Sequence, residues 1–437
     1  MMHSTNVMIQ PRCYSITLIN ERRIDADEFE LSRCQSVAEI ARAMTTTIRQ
    51  ALHPLLVTYS LIGLGIYIRE KPRRLLNILY ILTAWSAYSC LFCYSVITFK
   101  VEHWFLTVSA IINTGFNIII TVTSVVMVVR CNEKFRICMK RLTAVDDTLE
   151  ELGTPKTYQK LQTRVKGVIV TWVAYCLIIN INDMVWCLFI ENDHRKLILP
   201  YIINHYRHVN TFVDLSFILL VWYVGTKFDE VNEHVRCLLV KEEYGLRRAW
   251  TNAAPSTHRY IMCTDNYKHV LWTSMHLHLE LNQIARELNA MYGIPVTLEM
   301  AAYLILITAI SYYLYMNIMT MDYTNGIRVF FDAEMWALPC VIKIFYLNYI
   351  CETVSVKANK VKESIHQLTD VNLYADIRDE IYQFTLQLIH HPLKFMGMGF
   401  FRFGYGFLRK FFLTIIAFVV IVVQMSSTKV GPIVIGF

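Results

Sequence analysis

His276, His278 and Glu280 come nearest to a metal-ligating group in this chain, since imidazole nitrogens and a carboxylate are donors that a divalent cation favours. On a helix His276 and His278 fall on different faces and only His276 and Glu280 share one, so the spacing predicts no metal site, and no cofactor is expected. None of the fourteen histidines begins an HExxH motif, and neither a GxxxxGK[ST] loop nor a GxSxG turn occurs. Zinc-hydrolase, nucleotide-hydrolase and serine-hydrolase chemistry therefore lack their residues, and no enzyme is expected. His390 and His391 stand before Pro392 and read as a helix end.

The remaining conspicuous polar side chains are embedded in apolar runs. Gln424 lies near the end of the run Phe411 to Met425. An amide there needs a partner, either on a neighbouring helix or in a water-filled pore. Helical steps of three and four place Ile421, Ala417 and Thr414 on the stripe of Gln424. A ring of such helices forms a hydrophobic constriction, able to gate by dewetting, next to amides able to replace part of an ion's hydration. Candidate ligand-binding residues are Asn113, Asn117, Asn180, Asp183, Trp186, Asp214, Tyr312, Tyr313, Tyr315 and Trp336, because polar groups at membrane depth are costly and tend to face a cavity. Asp183 and Trp186 share a face, and a carboxylate beside an indole suits a sugar or an organic cation. Each candidate also fits bonding between helices, and the aromatics fit an interfacial belt. Asp214 and Lys343 are the intramembrane charges of greatest interest, with structural pairing as the alternative to a ligand role.

Composition says what must position these groups. At 437 residues, 55% hydrophobic and 18% charged, with mean hydropathy +0.36, the chain is too apolar for an ordinary soluble protein. The net charge of +7 sits in short basic runs beside apolar segments, a topology signal rather than a nucleic-acid surface. Stretches of about twenty apolar residues cross a hydrocarbon core of roughly 30 Å as helix. Seven are predicted: Leu75 to Phe99, Trp104 to Val129, Val165 to Ile190, Asn204 to Thr226, Val296 to Thr320, Met335 to Val356 and Phe403 to Met425. The run Ala51 to Ile68, short and holding His53, Pro54, Gly63 and Gly65, reads as a re-entrant or interfacial element. The expected fold is thus all-α: a polytopic membrane protein of seven transmembrane helices with a re-entrant N-terminal element and a cytoplasmic helical bundle.

Basic residues set the expected orientation. Arg69, Lys71, Arg73 and Arg74 precede the first span, and Arg130, Lys134, Arg136, Lys140 and Arg141 follow the second, so these sides are cytoplasmic. Residues 1–50, without an apolar signal region, become a cytoplasmic tail and residues 426–437 an extracellular C-terminus. The connectors 227–295 and 357–402 are cytoplasmic. In them Leu277, Leu281, Ile284, Leu288 and Met291, then Val361, Ile365 and Leu368, then Ile377, Ile381, Phe384 and Leu388 recur at helical steps, which predicts helices packed together below the membrane. Independent amphipathic helices on the inner leaflet are the alternative. The twelve cysteines avoid the predicted outer loops, so no extracellular disulfide framework is implied. No proline follows an asparagine and no DRY follows the third span, which together with the inverted topology weighs against a G-protein-coupled receptor. Matching Gly/Pro-broken halves, the mark of many secondary transporters, are not evident.

The run Leu393-Lys394-Phe395-Met396-Gly397-Met398-Gly399-Phe400-Phe401, followed by Ala417-Phe418, five apolar residues and Gln424-Met425, resembles the C-terminal signature of insect gustatory receptors. That signature has a GFF-type helix start, then Thr-Tyr, five apolar residues and Gln-Phe. Glu287 to Pro295 is similar to the family's approach to its fifth span, and His53-Pro54-Leu55 to Gly63-Leu64-Gly65 to its opening element. The resemblance implies a tetrameric, tastant-gated, non-selective cation channel in the plasma membrane, homomeric or heteromeric, whose last helix lines the pore. Its expected partners are a small-molecule tastant, cations, lipid and related receptors. Met425 then stands where the family's phenylalanine helps close the pore, and a flexible thioether closes less rigidly. A metabotropic-type receptor or a non-conducting accessory subunit is the runner-up.

Overall fold

The computed structural model describes residues 47–65, 74–98, 108–191, 197–251, 257–319, 323–369 and 378–427. The predicted tail before residue 47 and the C-terminus beyond 427 lie outside the described residues. So do the Leu368 and Trp186 side chains, and Ile377.

The helices are α1 (Ile48–Leu61), α2 (Arg74–Thr98), α3 (Val108–Glu151), α4 (Tyr158–Glu191), the short α5 (Leu199–Ile203), α6 (His205–Thr251), α7 (Thr257–Met319), α8 (Tyr323–Thr369), α9 (Arg378–His390) and α10 (Tyr405–Ser427). A two-residue hairpin, β1 (Met396–Gly397) and β2 (Phe401–Arg402), precedes α10. Seven helices among the described residues are long and apolar enough to cross a membrane: 75–98, 112–151, 158–185, 205–238, 268–316, 333–363 and 405–425. The protein is all-α in architecture, apart from that hairpin. With 63 residues, α7 is about 95 Å long, far more than a bilayer needs, and α3, α6 and α8 likewise run on past any apolar core.

Of the apolar stretch at 51–68, residues 51–61 lie in the 14-residue α1, about 21 Å of helix, and residues 66–68 lie outside the described residues. Thr47 caps it by accepting from Gln50 N at 3.3 Å, and Ala51, Leu52, Leu55 and Tyr59 are buried within the main core. Gly63 and Gly65 end it in left-handed backbone, where Trp85 Nε1 of α2 donates to the Gly63 carbonyl at 2.9 Å.

Between α3 and α4 the chain reverses through a Schellman turn: Thr154 N donates to Leu149 O and Gly153 N to Glu150 O, both at 2.9 Å, with Gly153 at φ +96. Lys156 closes the turn 2.7 Å from Asp147 and from Glu150, whose hydrogen bonds hold its ammonium up to about 12.

Two apolar clusters hold the chain together. The main core joins α1, α3, α4, α6, α7, α8 and α10. The second packs Val235 and Leu238 of α6, Leu271 and Met275 of α7, Val361 and Ile365 of α8, and Ile381, Phe384 and Leu388 of α9. Of the seven candidate spans α6 is the central one: 83% of its most apolar window is buried, against 11–17% for the spans in α2, α3, α4 and α10.

Candidate ligand and pore sites

Polar residues recur along α6 and are met by α3, α4, α7 and α8. Near its start Asn204 donates to Asn180 Oδ1 at 3.2 Å and to Asp183 Oδ2 at 2.6 Å, while His208 Nε2 approaches Asn180 Oδ1 at 3.2 Å. The amide oxygen can only accept, so Nε2 carries the proton and the buried Nδ1 is left as an acceptor with no hydrogen-bond partner among the described residues. Asn210 then donates to Asn117 Oδ1 at 3.3 Å and accepts from Thr121 at 2.8 Å, tying α6 to α3. Asn117 in turn donates to Asn113.

One turn further along, Lys343 of α8 reaches Asp214 at 2.9 Å, Glu299 of α7 at 2.7 Å and the Thr211 hydroxyl at 3.2 Å. Tyr303 donates to the same Glu299. Two carboxylates and one ammonium thus bind three helices at a depth where each group alone is expensive. Above this cluster the Arg207 guanidinium lies 3.7 Å from the centre of the Trp336 ring, a cation–π contact. The Arg207 Nη2 is buried without a hydrogen-bond acceptor among the described residues.

A second ionic cluster lies farther along α6. Lys227 Nζ is 3.1 Å from Asp146 and 2.9 Å from Glu230, and Tyr223 donates to Asp146 at 2.8 Å, with Lys227 and Asp146 almost fully buried.

The sequence candidates are therefore distributed as follows. Asn180 and Asp183 meet each other through Asn204, and Asn113 and Asn117 form a separate group on α3. Asp214 and Lys343 pair with each other. Trp336 faces Arg207. Tyr312 is buried, and Tyr313 and Tyr315 are half-buried, on α7. Composition gave no pointer to Arg207 as the partner of Trp336. Glu299, a carboxylate inside the predicted fifth span, and the i, i+4 pair Asn204 and His208 are signals that the sequence itself carries.

His278 is buried; its Nε2 donates to Ala358 O at 2.7 Å and its Nδ1 accepts from Asn282 at 3.2 Å. His276 is exposed and stacks on Trp272. Among the described residues no group of three or more His, Cys, Asp or Glu gathers as a metal site would. A cavity of about 240 Å³ lies away from the polar groups of α6, between Leu271, Trp272 and Met275 of α7 and Ile381 of α9, with Lys268, His269 and Glu380 also lining it.

The pore candidates all sit on α10. Its Leu408, Phe411 and Ile415 are buried in the main core, with Phe412 and Val419 packed on its edge. Ala417, Ile421 and Gln424 are exposed and Thr414 half-exposed, and at 100° per residue this stripe lies opposite the packed face. Met425, 52% exposed, flanks the stripe. Lys410, whose carbonyl accepts from Thr414 at 2.8 Å, stands at the foot of the same stripe and is exposed.

The base of α10 is rigidly held. Met396 pairs with Arg402 and Gly397 with Phe401 in the hairpin, which turns through Met398 and Gly399, both at positive φ. Asn289 of α7 grips β1 from both sides, donating to Met396 O at 3.1 Å and accepting from Met396 N at 3.2 Å. Asn348 of α8 accepts from Gly404 N at 2.8 Å. Gly404 has φ +145, and a Cβ there would collide with the Glu352 carboxylate.

Together these features define a multi-pass α-helical membrane protein with buried polar contacts between its helices around a central α6. The chain belongs to the 7tm chemosensory receptor family, whose model matches residues 52–429. This family covers the insect odorant and gustatory receptor type that the C-terminal run resembles, and it is not an enzyme class. The chain is similar in fold to the insect olfactory receptor OR5 from Machilis hrabei, at TM-score 0.50 and 12% identity, with 86% of this chain and 98% of that one covered. The same receptor in complex with eugenol matches at TM-score 0.49 and 14% identity, covering 87% and 99%. No curated protein matches the chain.

Proposed function

We propose that the chain is a subunit of a tastant-gated, non-selective cation channel, assembled as a homo- or hetero-tetramer in the plasma membrane of a sensory cell. The stripe of α10 carries this reading. Thr414, Ala417, Ile421 and Gln424 lie opposite the face that packs on the subunit's own core, so several copies can turn this stripe toward a common axis without disturbing the fold. Around that axis Ile421 supplies the apolar constriction, Gln424 the amide ring, and Met425 the flexible outer edge.

The N-terminus is cytoplasmic and the C-terminus extracellular, on the strength of the basic runs beside the apolar stretches. In that frame α1 is re-entrant, and the second apolar cluster belongs to a helical bundle beneath the membrane. The tastant enters the outer half of the subunit, near Asn180, Asp183, Trp186, Trp336, Tyr312 and Tyr315. Asn113 and Asn117 on α3 and Asp214 on α6 belong to the same outer-half set.

Purified chain in a planar bilayer, screened with sugars, alkaloids and amino acids and with no G protein present, should pass tastant-evoked cation current. Silence from the chain alone and from its mixtures with related receptors would overturn the channel reading.

A further inference from the structure

The hairpin and the first turns of α10 bring exposed aromatic and basic side chains together. Phe400, at the hairpin tip, is 80% exposed, and Tyr405, the first residue of α10, is 55% exposed. Lys394, Arg402 and Arg409 are exposed around them. Among the described residues the only ion pair of these three cations is that of Arg402 with Glu352, at 3.5 Å.

The depth of this surface follows from its partners. Asn289, Gly293 and Thr297 contact β1, and they flank Pro295, where the apolar stretch of α7 begins. Asn348 and Glu352 contact Gly404, near the end of the apolar stretch of α8. The unbroken apolar run of α10 itself starts at Phe411. The hairpin therefore sits where three apolar stretches all stop, which is the boundary between hydrocarbon and headgroups. An exposed phenylalanine at that level gains by entering the acyl region, a tyrosine by lying at the headgroups, and arginine and lysine by meeting phosphate.

We propose that Lys394, Phe400, Arg402, Tyr405 and Arg409 form a binding surface for an anionic phospholipid of the bilayer, at the foot of the last helix. Lys394, Arg409 and the loosely paired Arg402 contact the phosphate and acidic headgroup, while Phe400 lies along the acyl chains. Lys410 takes no part, because it lies on the stripe with Thr414 and Ala417.

The test reads lipid retention, not current, so it stands or falls apart from the channel reading. Detergent-solubilised full-length chain is titrated with phosphatidylserine or phosphatidylcholine and followed by native mass spectrometry. Phosphatidylserine should be retained at least about five-fold better, the factor that roughly 1 kcal/mol gives for a single cation near a lipid surface. The triple variant Lys394→Gln, Arg402→Gln, Arg409→Gln should erase that preference, and Phe400→Ser should weaken retention of both lipids. A control losing the same charge elsewhere, Lys360→Gln, Lys362→Gln, Arg378→Gln, should keep it. Equal retention of the two lipids, an unaltered triple variant, or equal loss in the control overturns the proposal. Displacement of phosphatidylserine by millimolar inorganic phosphate would assign the surface to a free anion and overturn it as well.

Discussion

Lys343 of α8 stands 2.9 Å from Asp214 of α6, and its other carboxylate partner, Glu299, comes from α7. Removing the ammonium leaves two buried carboxylates facing each other, whereas a neutral replacement of one carboxylate leaves a balanced pair.

Lys343→Met should therefore cost about 3–5 kcal/mol of stability, the usual penalty for breaking a buried pair on one side. Lys343→Met combined with Asp214→Asn should recover part of it. Thermal melting of the detergent-solubilised protein reads both, and additive losses in the double variant would contradict the pairing.

Asp183→Ala should abolish tastant-evoked current while the protein still reaches the surface. The variant also strips an acceptor from buried Asn204, a loss on the order of 1–3 kcal/mol. Asn204→Ala is the comparison. If both variants lower surface abundance equally and neither changes the response per channel, Asp183 serves packing alone.

Substituting Gln424 and Ile421 together by alanine should change cation selectivity and raise the closed-state leak, since the amides and the narrowest apolar ring go at once. Unaltered reversal potentials and leak in patch-clamp recordings would remove both from the pore.

Lys410→Glu should raise unitary cation conductance about two-fold at low salt and less at high salt. A ring of ammonium groups at a pore mouth lowers the local cation concentration, and a ring of carboxylates does the reverse. Conductance independent of this charge would place Lys410 away from the permeation path.

Gly404→Ala should disturb the start of α10. A methyl group there meets the Glu352 carboxylate, and φ +145 is a conformation alanine avoids. Combining it with Glu352→Ala relieves the collision but not the backbone strain, so partial recovery of folded protein by size-exclusion chromatography is the expected result.

Helix number and type were legible because a bilayer leaves few options: an apolar run of the required length becomes helix. The ends of the helices were less so. The apolar stretch of α7 is read from Val296, yet the helix begins at Thr257, because amphipathic residues such as Leu277 and Leu281 continue it into a packed core. Pairings were hardest. Asp214 and Lys343 each stood out as a charge in an apolar run, but their meeting depends on how α6 and α8 cross, and no local pattern encodes that. The hairpin before α10 was hidden for a different reason. Its Met396-Gly397-Met398-Gly399 run carries no strand alternation, and its shape comes from Asn289 and Asn348 reaching in from distant helices.

The central position of α6 also bears on how the protein is made. Synthesis runs from the N-terminus, so Asp214 is delivered to the membrane before Glu299, and both before Lys343, exist as folded neighbours. Until α8 arrives, the newborn α6 carries a carboxylate without its ammonium partner at a depth where a lone charge is costly, and it must remain near water or the insertion machinery. Docking of α8 is then the step that commits the chain to its final form. Nascent chains cut short before Lys343 should be the ones that cellular quality control removes.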